Sequence, residues 1–111
     1  MTRIRMTLGA TAVSGDEVRV QVLNGNGEPG IGQEVAEKLV GEGFRVILSG
    51  NARNLDYETT LIVTYDDSPE GIALAERARD LLGLGEVQVS GQQQGIVDLT
   101  IVIGKDFLRA P

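Results

Sequence analysis

The 111-residue sequence has no cysteine, no histidine and no tryptophan. Those absences exclude disulfides, thiol nucleophiles, imidazole bases, Ser-His-Asp triads and most zinc or haem sites. What remains is carboxylate or backbone chemistry, or binding, so no cofactor and no metal are expected. Adjacent Asp66 and Asp67, just ahead of a helix, are explained by the helix dipole without an ion. Positive charge is also scarce: 10 Lys and Arg stand against 16 Asp and Glu, for a formal net charge of -6. No stretch carries more than two closely spaced basic residues, so the cation clusters that neutralise a phosphate backbone are missing and nucleic acid is not an expected partner. Long apolar runs are absent too. Stretches such as Leu61, Ile62 and Val63 are far short of the roughly 20 residues of a membrane span, so direct membrane insertion is not expected. Thr7, Thr11 and Ser14 interrupt any signal-type apolar segment near the start.

The remaining composition, 41% hydrophobic and 23% charged, is that of one globular domain. We place it at residues 17–108. Residues 1–16 read as a leader, a linker or an extra edge strand, because Ile4, Met6 and Leu8 alternate with Arg3, Arg5 and Thr7. Within the domain a pattern of strand, loop, helix, Gly-x-Gly stop and strand occurs twice, with a period of about 42 residues. Each copy has a proline at its helix start, Pro29 and Pro69, and Gly41/Gly43 or Gly83/Gly85 at its stop.

In the first helix Ile31, Val35, Leu39 and Val40 form the apolar stripe, with Pro29 expected at its first position. In the second, Ser68 is the expected N-cap and Ile72, Ala75, Ala78 and Leu82 point inward. Arg19, Gln21, Thr64, Gln88 and Thr100 share a polar register along the strands. Such alternation gives a sheet one wet face, which sends both helices to the other. The expected fold is therefore α/β of the α+β kind: a two-layer sandwich with two helices on one face of the sheet. Its topology is expected to be a ferredoxin-like split βαβ-βαβ repeat with an added C-terminal strand at residues 99–103.

Three connections hold the candidate ligand-binding residues. The loop at 24–30 contributes Asn24, Gly25, Asn26, Gly27 and Gly30, and its glycines satisfy G-x-G-x-x-G between a strand and a helix. A dinucleotide site would also need an acid at the end of the next strand, where the chain reads Leu48, Ser49, Gly50 and Asn51. Glu28 and Glu34 would moreover repel a phosphate, so the loop suits a neutral polar ligand better than a nucleotide. The second connection contributes Asn51, Asn54, Asp56 and Tyr57, and the third, after the last strand, Lys105 and Asp106. None of these positions combines a nucleophile with a base, so no catalytic residue is assigned.

Taken in order, Val-Gln-Val-Leu-Asn-Gly-Asn-Gly-Glu-Pro-Gly-Ile at 20–31, Gly-Asn-Ala at 50–52, Asp56 and Tyr57 before Thr60, and Val-Ile-Gly-Lys-Asp-Phe at 102–107 resemble the LytR C-terminal domain family over residues 17–107. The resemblance implies a bacterial, extracytoplasmic cell-envelope protein. In that family the module follows the LytR-CpsA-Psr catalytic domain, which transfers glycopolymers to peptidoglycan, or occurs apart from it after a membrane anchor. That catalytic domain and its arginine-rich pocket are not in this sequence, so the resemblance implies a non-catalytic accessory module and not an enzyme. The expected partner is cell-wall glycan, peptidoglycan or an attached polymer, or else another envelope protein domain. A structural or homodimerisation module is the alternative, and a nucleotide-binding domain using the Gly-rich loop is a third. The expected architecture is shared by small peptidoglycan-binding modules such as the SPOR domain, which is fold analogy alone.

Overall fold

The two longer helices owe their limits to local chemistry, but by different devices. In the computed structural model, which describes residues 17–92 and 95–109, α2 (Pro69–Leu82) starts behind Ser68, whose side chain accepts from the Gly71 N–H, and stops at left-handed Gly83. The Asp66 carboxylate accepts from the Ser68 N–H and is held below its ordinary pKa by that bond. Gly71 packs directly on Asp66, leaving no room for a Cβ, and it takes the buried first-turn position expected of Ile72, which is only half-buried. α1 (Ile31–Leu39) has no side-chain cap. Its N-cap is Gly30, at φ 80°, so Pro29 precedes the helix instead of opening it. Ile31, Val35 and Leu39 are buried as the stripe predicts, but Val40 is not: the backbone turns extended there and its side chain is 72% exposed.

Among the described residues five strands form one sheet: β1 (Val18–Asn24), β2 (Phe44–Asn51), β3 (Leu61–Thr64), β4 (Glu86–Val89) and β5 (Leu99–Ile103), in the order β2-β1-β5-β3-β4. A short helix, α3 (Asp106–Arg109), follows β5. The two-layer α+β sandwich is as expected, with α1 over β1 and β2 and α2 over β3 and β4. The strand order differs from a split repeat. β1 pairs directly with β2, and β3 with β4, both in parallel. β5 is not appended at an edge but lies between the two units, parallel to β1 and antiparallel to β3. A right-handed crossover explains the layering: two such units that run antiparallel and extend outward from a central strand carry their helices on the same face.

The position of β5 also explains its composition. Leu99, Ile101 and Ile103 enter the core beneath the helices with Val20, Val22, Ile62 and Phe44. Thr100 and Val102 face the other side yet are also buried. Tyr65 reaches over that face, its hydroxyl 2.7 Å from the Thr100 hydroxyl, which in turn donates to Gln21 Oε1 at 3.3 Å. Gln21, Thr100 and Gln88 lie in one row on this open face, but the β3 residue in that row is Val63. Thr64 departs from the expected polar register. It is buried on the helix side, where its hydroxyl bonds the Asp66 backbone and so forms part of the turn into α2. The alternation of Ile4, Met6 and Leu8 lies outside the described residues.

Candidate functional site

β1, β2 and β5 are parallel, so their carboxyl ends share one edge of the sheet, and the connection that leaves each end begins there. Asn24 sits opposite both Asn51 and Ile103. Main-chain bonds then join the three connections. Ala52 N–H donates to Asn24 O at 2.8 Å, Gly25 N–H to Ile103 O at 2.9 Å, Tyr57 N–H to Gly25 O at 3.0 Å and Lys105 N–H to Tyr57 O at 2.7 Å. The segments 24–30, 51–57 and 104–106 thus form one continuous surface.

Within it the polar side chains divide into two groups. Asn24 is wholly engaged in shaping its own loop: Oδ1 accepts from the Asn26 and Gly27 N–H groups at 3.0 and 2.9 Å, and Nδ2 donates to Glu28 O at 3.0 Å. Asn26 Oδ1 accepts from the Glu28 N–H, and Nδ2 donates to Gly104 O, at 2.9 Å each. The Gly-rich motif has the same internal purpose. A Cβ at Gly25 would lie 2.8 Å from Ile103 O and 2.9 Å from the Tyr57 ring, and Gly27 and Gly30 hold φ of 83° and 80°. Because the Gly25 and Gly27 amides are bonded within the protein, they do not form the free cradle that a pyrophosphate requires.

Asp106 belongs to this structural group as well. Its carboxylate accepts from Thr60 N–H at 2.9 Å and Thr60 O–H at 2.7 Å, while Thr60 Oγ1 accepts from Gly104 N–H at 3.0 Å. Thr60 has no solvent exposure, so this closed ring of bonds clamps the start of β3 to the end of β5. Sequence reasoning assigned Thr60 no role of its own. Its signal was the joint presence of a threonine ahead of one strand and a Gly-Lys-Asp run after another, which only their contact makes readable.

The second group keeps bonding capacity facing water. Asn51 is exposed at the end of β2, with no side-chain hydrogen bond among the described residues. Asn54 accepts from the Asp56 N–H through Oδ1 at 2.9 Å, which leaves its amide N–H₂ outward. Lys105 Nζ lies 3.6 Å from both Asp56 and Glu58 in a surface cluster that Arg109 joins through Glu58. Tyr57 is half-buried, its ring against Gly25 and its hydroxyl without a partner among the described residues. Arg53, which the sequence reading did not select, is exposed in the same connection. No group of three or more Asp or Glu able to hold a metal occurs among the described residues.

The family model described as "LytR cell envelope-related transcriptional attenuator" matches residues 17–107. The solution structure of the C-terminal domain of RV0431 is similar in fold, with a TM-score of 0.55 and 24% sequence identity, covering 94% of this chain and 87% of that one. No curated protein matches the chain.

Proposed function

The chain belongs to the LytR C-terminal domain family, a family of accessory cell-envelope domains, and from that membership we propose that its three-connection surface recognises cell-wall glycan without catalysing a reaction on it. The single observation that carries this reading is the gathering of exposed, uncommitted polar groups on a scaffold whose own bonds are complete. Asn51 and the Asn54 N–H₂ offer amide bonding to hydroxyl and N-acetyl groups, and the Tyr57 phenol offers an edge and a hydroxyl. Lys105, already paired with Asp56 and Glu58, gives a mixed and nearly balanced charge field, suited to a neutral or zwitterionic saccharide more than to a phosphate. Asn24, Asn26 and Asp106 act by holding that surface in place. An extracytoplasmic location follows from the same reading, because the glycan is found there.

The test is an amide-resolved NMR titration of the chain with solubilised peptidoglycan fragments, using a nucleotide as control. We expect shifts centred on Asn51, Asn54, Tyr57 and Lys105, lost in the Asn51→Ala/Asn54→Ala double variant, and none with the nucleotide. Unchanged spectra at millimolar fragment would rule out the glycan, and a protein partner of the envelope would then be the ligand to seek at this surface.

A further inference from the structure

The two edges of the sheet are unequally protected. β4 is four residues long and starts with Glu86, whereas β2 is eight residues long with Arg45 as its one charged residue and no proline. A long, nearly uncharged edge is the kind that pairs with another strand. Its outward-facing backbone can be located. Val18 N–H donates to Gly43 O and Ala52 N–H to Asn24 O, and a bulge at Ile47 shifts the register between these points. Parallel-ladder alternation then turns the backbone groups of Phe44, Val46, Ser49 and Asn51 away from β1. No strand lies beyond them among the described residues.

Beside this edge α1 presents Gln33, Ala36, Glu37 and Val40, a stripe at helical spacing that walls a groove of about 550 Å³ floored by Phe44 and Val46. Val40 is the most exposed large apolar side chain among the described residues, and Ile47 and Leu48 are exposed along the same edge.

We propose that β2 and this flank of α1 form a two-fold interface with a second copy of the chain, joining two sheets into one. The outward groups are symmetric about the 47/48 peptide. An antiparallel partner strand therefore sets Phe44 against the partner's Asn51 and Val46 against the partner's Ser49, so all four are bonded. The same register places Arg45 opposite the partner's Gly50, so no like charges face each other across the strands. The helices also fit. Because α1 packs over both β1 and β2, its counterpart across the two-fold lies about two strand spacings away, close to 10 Å, the distance at which helices pack with a small residue such as Ala36 at the contact. Val40 and the groove are then covered. This inference concerns the edge of the sheet, not its carboxyl end, and stands apart from the glycan reading.

Sedimentation equilibrium of the full chain across concentration tests it. A species of twice the 11.8 kDa monomer mass is expected, and its association tightens as salt screens the charge of -6 on each copy. Ser49→Pro, which deletes an outward N–H and leaves the β1 pairing intact, and Val40→Glu should each weaken association at least about tenfold. Val89→Glu on the opposite edge should not. Val40 is exposed, so its variant stays folded even if the proline variant does not. A wild-type chain that remains monomeric up to about 1 mM in high salt, or a dimer indifferent to Val40→Glu, overturns the proposal.

Discussion

The two βαβ units carry the same strand-helix-strand pattern, yet they are finished differently. In the second unit, β3-α2-β4, the turn into the helix is short and closed on itself: Thr64 and Asp66 bond within it, Ser68 caps α2 and Gly71 seats the helix on Asp66. In the first unit, β1-α1-β2, the corresponding turn is a wide loop held from inside by Asn24 and Asn26, and the helix begins on an uncapped glycine. One unit is built for closure and the other for display. The polar surface gathers at the carboxyl edge of this unit, where the β2-β3 connection and the segment after β5 join it, β2 is a margin of the sheet among the described residues, and β5 with its clamp ties the unit to the closed one.

The clamp is where this contrast breaks most severely. Asp106→Ala removes both acceptors from buried Thr60, and the expected loss is about 2–3 kcal/mol in a urea unfolding curve with an unchanged slope. A loss below half that figure would mean that the two units do not depend on the clamp. The loop comes next. Asn24→Ala leaves three backbone groups without their partner and should cost about 1–2 kcal/mol, with faster amide exchange confined to the 24–30 loop. Ser68→Ala in the closed unit removes one cap bond, for about 1 kcal/mol. A larger cost at Ser68 than at Asn24 would invert the assignment of closure and display.

The smallest effect is a pH dependence at the base of β1. The Arg19 guanidinium hydrogen-bonds the Asp98 carboxylate and holds it below the ordinary carboxylate range, against the desolvation that partial burial imposes. Since the folded-state pKa is depressed, the contribution is fully present above the unfolded value near 4 and is lost as pH falls through the lower folded value. The pair is half-exposed, so the effect is modest and screened by salt. Asp98→Asn should lower the neutral plateau of a melting-temperature profile slightly and flatten its acid limb by the same small amount.

What could be read directly from the residues was whatever neighbouring residues decide. Ser68 with Pro69, the Gly83 stop and the Ile31, Val35, Leu39 stripe are interactions within one or two turns, and each is present. Errors arose where a local rule met a longer-range one. Val40 has the spacing of a buried residue, but the helix ends one residue earlier. Thr64 has the polarity of the wet face, but it serves a turn on the other. Pro29 has the chemistry of a first helical residue, but the loop drawn in by Asn24 delays the helix to Ile31. At the candidate site the three connections were identifiable by composition and family pattern. Which of their side chains face outward was not, because Asn24, Asn26 and Asp106 have the same polarity as Asn51, Asn54 and Asp56.

The two layers, the repeated units and the absence of histidine and thiol chemistry were legible in the residues alone, since periodicity, capping and composition act over a few residues or over the whole chain at once. That β5 runs between the units instead of along an edge emerges from the folded chain. Strand order depends on contacts between residues some eighty positions apart, such as Arg19 with Asp98, and no local propensity records them. That one placement brings the ends of β1, β2 and β5 together, sets Asp106 against Thr60 and leaves β2 at a margin of the sheet among the described residues, because a sheet with a new centre also acquires new margins.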